Sequence, residues 1–231
     1  MVPVRLVLLC KLQAEALTPR LMKAPGKSLC FVNIAGGPAS DSINTLITLR
    51  KQNPSLLRER KIEIAVLDVD TFGPAFANQC IESLKKDGGG LHGLDLSFRH
   101  IPYDWSRPAP LAEFLSERRE WVKLCSSEGG LFEYGSDEDI AQNLHTLYGD
   151  SEEELRITGS ILHDLNTVDP GIHTAMQVAS ITARLIGTAG LKKIVEKTEW
   201  TIDRIDEANP RYVVFSLKKG GGRNGQETGR V

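Results

Sequence analysis

The sequence has no CxxC pair, no GxxxxGK loop and no apolar run long enough to span a membrane, and each absence removes a class of function. Its cysteines, Cys10, Cys30, Cys80 and Cys125, lack disulfide-framework or zinc spacing, and Cys30 and Cys125 sit in apolar strand patterns where a thiol acts as a small hydrophobe. Reduced thiols in a cytoplasmic protein are the expectation. His92, His100, His145 and His173 are scattered, with no ligand-spaced carboxylate cluster, so no metal site is expected. The missing phosphate-loop lysine argues against an NTPase, and no Lys or Arg occurs from Asn33 to Asn44. Charged residues make up 25% of the chain but sum to only -2, which points away from nucleic acid and anionic membranes and toward a small, roughly neutral partner. The opening VPVRLVLLC is apolar, yet Arg5 and Lys11 interrupt it and no small-residue cleavage site follows, so it reads as a docking helix, not a signal peptide.

At 231 residues and 41% hydrophobic content, one substantial core is expected: a helical arm over 1–27, a main domain over 28–219 and a glycine-rich disordered tail over 220–231. Leu6, Leu9, Leu12, Leu17 and Leu21 fall at helical spacing. Continuous apolar runs at 28–35 and 62–68 predict central parallel strands, and an alternating run at 94–103 predicts a strand nearer the edge. Helices are expected from Asp41 or Ser42 to Asn53, from Gly73 to Lys86, over 111–118, over 138–147, and as one long element from Pro170 to about Gly187. A fourth strand is expected at 120–125 and a fifth at 155–162, and Glu152 to Glu154 form a solvated helix end or loop. Trp200, Ile202 and Ile205, the Asn209-Pro210 turn and 212–217 predict an antiparallel hairpin. The fold class is therefore α/β: a three-layer, Rossmann-like, doubly wound sheet, mostly parallel, closed by a C-terminal antiparallel hairpin.

The chemistry concentrates at successive strand ends. FVNIAGGPASD, residues 31–41, is a strand running into Gly36-Gly37 and an amphipathic helix, which brings bare backbone amides to a nucleotide-like ligand. Asp68 ends the next strand, where an acid can accept from ribose hydroxyls, and Asp70 competes as a turn former or helix cap. Tyr103-Asp104-Trp105 ends the third. Trp105 is equally a packed aromatic or a wall for a base. The segment SSEGGLFEYGSDEDI places large apolar groups and carboxylates on a loop, which is expected to fold over the site as a lid; the alternative is a capping turn with Phe132 as a core plug. Glu128 or Glu133 would then orient an acceptor beside Tyr134. His163-Asp164 offers a general base or a surface turn.

The pattern over 28–217 resembles the class I S-adenosylmethionine-dependent methyltransferase family, whose seventh strand enters the sheet antiparallel. The resemblance implies S-adenosyl-L-methionine as cofactor. Asn33, Ala35, Gly37 and Ala39 stand at the positions of the family's acid and spaced glycines, with Gly36 and Pro38 between. Asparagine replaces the acid, so the contact to the methionine amino group falls to Asp41 or to water. By the same resemblance Asp68, with the adjacent Val69, serves the ribose end. Asp104 serves the adenine amino group with Trp105 as cover, and Ser126-Ser127-Glu128 face the methionine end and the acceptor. The implied activity is methyl transfer to a small-molecule acceptor, oxygen by default, with Glu128, Tyr134 and His163 as candidate catalytic groups. The short arm alone, a second subunit in a homodimer, or residues preceding this start would complete the acceptor pocket. Two rival readings are a non-catalytic binding module of the same fold and an NAD-dependent oxidoreductase.

Overall fold

The continuous apolar runs become strands buried on both faces. The computed structural model describes residues 2–149 and 154–220. It consists of α1 (Val2–Lys23), β1 (Leu29–Ile34), α2 (Ser40–Gln52), β2 (Ile62–Leu67), α3 (Phe72–Lys85), β3 (Leu96–Ile101), α4 (Ala109–Ser116), β4 (Val122–Ser127), α5 (Leu131–Tyr134), α6 (Asp137–Gly149), β5 (Arg156–Leu162), α7 (Pro170–Val178), α8 (Gly187–Val195), β6 (Trp200–Asp206) and β7 (Tyr212–Lys219). The seven strands lie in the order β3-β2-β1-β4-β5-β7-β6. The first five pair in parallel, and β7 enters antiparallel between β5 and β6. The expected three-layer sheet and terminal hairpin are present, and β3 lies at an edge.

Alternation along each strand separates two cores. Leu29 and Phe31 of β1 with Ile62 and Ile64 of β2 pack beneath α1, α2 and α3. Cys30, Val32 and Ile34 face the other way, against α4, α6 and α8. Both faces of the sheet are thus covered, as a parallel sheet requires. The carboxyl ends of β1, β2, β3 and β4 converge on one edge, because right-handed crossovers return each strand in the same direction.

Three expectations are corrected. The fourth strand starts at Val122, since Glu120 and Trp121 belong to a turn after α4 in which Trp121 N–H bonds Arg118 O. The Lys123 ammonium caps that turn, donating to the carbonyls of Arg118 and Trp121. Ser126 and Ser127 therefore lie inside the strand instead of in a loop. The long helix after Pro170 breaks at Val178: Ser180 takes a left-handed φ of 52°, and the chain then runs without regular structure to α8. Arg184 holds this stretch across α5, its N–H bonding Glu133 O at 2.7 Å and its guanidinium reaching Gly135 O and Asp137. The segment expected as a lid folds inward as α5, with Leu131, Phe132 and Glu133 buried. The tail beyond Gly220 and the run at Glu152-Glu153 lie outside the described residues. No helix among the described residues is long and apolar enough to cross a membrane.

Phe132 is 1% exposed and meets Phe215 of β7 edge-on, with centroids 4.9 Å apart. As a core plug its removal leaves a cavity. Phe132→Ala should lower unfolding free energy by about 3–5 kcal/mol in urea denaturation; a change within error would restore the lid reading.

Candidate functional site

The glycine loop after β1 is clamped from two sides. A β carbon on Gly73, in the first turn of α3, would lie 2.8 Å from Gly37 Cα, and one on Gly130 would lie 2.5 Å from Ala35 Cβ. Only glycine permits this approach of three backbones. The loop is left-handed at Ala35, Gly37 and Ala39, with φ of 51°, 45° and 50°. Asp68 fixes it further: one carboxylate oxygen accepts from Gly37 N–H at 3.0 Å and the other from Asp70 N–H at 2.9 Å. Nine percent of Asp68 remains exposed, and its neighbour Val69 is open to solvent.

Asp70 resolves as a cap. It accepts from the N–H groups of Gly73 and Phe72 at the start of α3, and those bonds hold its carboxyl below the usual range. Asp104 is exposed at the end of β3 and accepts from the Ser106 hydroxyl at 2.8 Å and N–H at 3.0 Å, which likewise lowers its pKa. Trp105 is half-buried against the core, and its carbonyl accepts from Asn143 at 2.8 Å.

Asn33, at the position of the missing acid, is turned inward. Its side-chain oxygen accepts from Ser42 at 2.9 Å and Ser126 at 3.0 Å, and its amide donates to Ala65 O at 3.1 Å. Asn33, Ser42 and Ser126 are all buried, so this triad joins β1, α2 and β4 beneath the loop. The Ser127 hydroxyl accepts from Leu131 N–H and starts α5. His163 contacts Asn209 O at 2.9 Å in the terminal hairpin, while Asp164 accepts from Asn166 and Thr167 N–H in a turn. Tyr134 is 45% exposed, one residue beyond the buried Glu133.

The region of α1 nearest the strand ends supplies residues that the sequence reading missed. Arg5 Nε donates to Glu128 Oε1 at 3.1 Å, Arg5 lies 3.7 Å from Glu133, and its guanidinium sits 4.3 Å from the centre of the Tyr212 ring. Gln13 is wholly buried: its amide donates to Asp41 at 2.8 Å and Thr158 at 3.0 Å and accepts from Thr45 at 2.7 Å. The available signal was Gln13 between Leu9 and Leu17, a polar group in the middle of an apolar stripe at i, i+4 spacing. Among the described residues no group of three or more His, Cys, Asp or Glu side chains is placed to hold a metal ion.

Burial and the nearby Asp41 raise the Glu128 carboxyl, with Arg5 pulling the other way, and it comes to about 7. Burial also raises Glu133. A raised carboxyl in the folded state keeps a proton that the unfolded chain releases near about pH 4.3. The stability this contributes is present below that value and is lost as pH rises through about 7. Between about pH 5 and 8 the wild-type melting temperature should therefore fall more steeply than that of Glu128→Gln in parallel thermal scans; parallel curves would contradict the assignment.

No protein-family profile and no curated sequence matches the chain. Solved structures do. Magnesium protoporphyrin IX methyltransferase (ChlM) from Synechocystis PCC 6803, solved with bound SAH, aligns over 95% of this chain and 88% of its own, at 12% identity and a TM-score of 0.55. The mitomycin 7-O-methyltransferase MmcR aligns over 84% of this chain and 50% of its own, at 10% identity and a TM-score of 0.56. LepI, in a complex with SAM, aligns over 85% of this chain, at 13% identity and a TM-score of 0.53; the present chain spans only 44% of its length. The fold is that of the class I methyltransferases, with β7 inserted antiparallel as that architecture requires.

Proposed function

We propose that the chain is an S-adenosylmethionine-dependent methyltransferase acting on a small-molecule acceptor. The observation that carries this reading is the alignment of a glycine loop, Asp68 and Asp104 at the carboxyl ends of β1, β2 and β3 within a class I methyltransferase fold. This donor set fits the cofactor in kind: acids for the hydroxyls of a ribose and the amino group of a purine, and no phosphate-binding lysine, while the loop amides of Ala35, Gly37 and Ala39 serve the loop itself. When bound, the cofactor would supply an electrophilic methyl group whose sulfonium leaves as a neutral thioether.

The protein's share is then positioning, exclusion of water and handling of one proton. Asp68 and Val69 would hold the ribose end, and Asp104 with Trp105 the purine. Glu128, raised toward neutrality by burial, is suited to take a proton from a hydroxyl acceptor, since a base works best with a pKa near the working pH. Tyr134 would line the acceptor side. His163, engaged with Asn209 O, ranks below Glu128 as a base. A binding module without turnover is the second reading, favoured by the inward-turned, buried Asn33 amide, whose bonds go to Ser42, Ser126 and Ala65.

Isothermal calorimetry should detect S-adenosylhomocysteine binding in the micromolar range, about -8 kcal/mol, with no heat from NAD. Asp68→Ala should cost roughly 1–3 kcal/mol of that affinity through unpaired hydroxyls. Unchanged affinity in the variant would move the site elsewhere, and NAD binding would support an oxidoreductase.

A further inference from the structure

Resting on the methyltransferase reading, we infer that Arg211 selects the acceptor by charge: the acceptor is a hydroxy acid whose carboxylate lies on the Arg211 guanidinium while its hydroxyl faces Glu128. Arg211 stands directly before β7, at the end of the sheet where β5 finishes. Its backbone is fixed there. The Arg211 N–H donates to Asn209 Oδ1 at 2.9 Å, its carbonyl accepts from His163 N–H at 3.2 Å, and Asn209 is wholly buried. The head group is less well served. Its Nε is buried without a hydrogen-bond partner, and among the described residues no carboxylate forms an ion pair with it. Arg58, Arg107 and Arg119 also lack such partners among the described residues, but they are exposed to water, whereas Arg211 is half-buried. An arginine cannot shed its proton to escape burial, and a half-buried cation without an anion is unfavourable.

The Arg211 guanidinium sits 5.1 Å from the centre of the Tyr212 ring, which also carries Arg5 at 4.3 Å. Arg5 cannot serve an external anion, because Glu128 and Glu133 already share its charge. Tyr134, on the acceptor side, belongs to the same cluster: burial raises the Tyr212 hydroxyl, Arg5 and Arg211 oppose the rise, and Glu133 and Tyr134 add to it. Contacts thus run from Glu128 through Arg5 and the Tyr212 ring to Arg211, joining a proton-accepting end to an anion-accepting one. A planar guanidinium matches a carboxylate with two parallel N–H bonds, the stronger, charge-assisted kind. One cation balances one negative charge, and Glu128 and Glu133 nearby disfavour a second, so a carboxylate suits the place better than a phosphate dianion. The carboxylate is a handle and takes no part in the transfer: the methyl group goes to the hydroxyl oxygen, whose proton passes to Glu128.

The test compares salicylate, mandelate and lactate each with its primary amide, which keeps the shape and loses the charge. Calorimetry on the full chain saturated with S-adenosylhomocysteine should show an acid bound about 10- to 100-fold more tightly than its amide. Arg211→Gln should abolish that preference by weakening the acid alone, with unchanged affinity for S-adenosylhomocysteine as the control on folding. Arg211→Lys, which keeps the charge without the fork, should retain part of it. A wild type that binds no acid of the panel more tightly than its amide would overturn the inference. So would a preference that survives Arg211→Gln, or an equal loss for acid and amide in that variant, which marks a purely structural role. If Arg211→Gln fails to fold, Arg211→Lys decides, and a preference there as large as the wild type's counts against the assignment. A wild type that does not bind S-adenosylhomocysteine would overturn the cofactor reading itself, a result distinct from the others.

Discussion

The buried amide of Gln13 fixes where the first helix lies, and the candidate site depends on that placement. Gln13 sits among the leucines of α1 with no exposure, and its three partners come from α2 and β5. Leaving such a group unpaired costs about 1–3 kcal/mol, so any slide or rotation of α1 on the sheet breaks bonds that apolar packing alone would not defend. A helix rises 1.5 Å per residue, which places Arg5 about 12 Å further along, at the ends of β4 and β7. A neutral hydrogen-bonded hub in the core thereby determines the position of a charge at the rim.

The rim is a compensated set of charges. Glu128 and Glu133 share Arg5, Ser160 donates to Glu133 at 3.4 Å, and Tyr212 lies under the guanidinium. Each carboxyl is raised by burial, which means the local medium favours the neutral form or a new cation. By contrast Asp70 and Asp104, exposed and bonded to N–H or O–H donors, stay anionic. The two halves of the crevice therefore differ in character: solvated anions at the ends of β2 and β3, and partly neutralised, buried ones after β4.

Much of the fold was legible because two-sided burial writes itself as uninterrupted apolar runs, as in β1 and β2, and the terminal hairpin showed in the change of period at Trp200. The fourth strand was misplaced by two residues because Ser126 and Ser127 look polar; like Lys123, which the expected span did include, they are buried only because specific partners satisfy them. No local pattern announces such partners. The expected lid failed for a related reason: Phe132 was the informative residue, and its contact, Phe215, lies far along the chain. That Asp68, Asp104 and the glycine loop follow β2, β3 and β1 was legible because strand ends are marked locally. Arg5 was read as an interruption of an apolar helix, since its contacts are with Glu128, Glu133 and Tyr212, all distant in sequence.

The insertion of β7 between β5 and β6 has a consequence for biogenesis. The ring beneath Arg5 belongs to Tyr212, the first residue of the last strand, whereas Arg5 lies in the first turns of the first helix. A ribosome emits the glycine loop, both crevice aspartates and Glu128 well before it emits Tyr212. A nascent chain arrested before the final hairpin would hold the carboxylates of the site without the strand that closes the sheet beside β5. The arrangement makes assembly of the rim wait on β7, so a ligand that needs the whole rim would engage only chains in which β7 has been made.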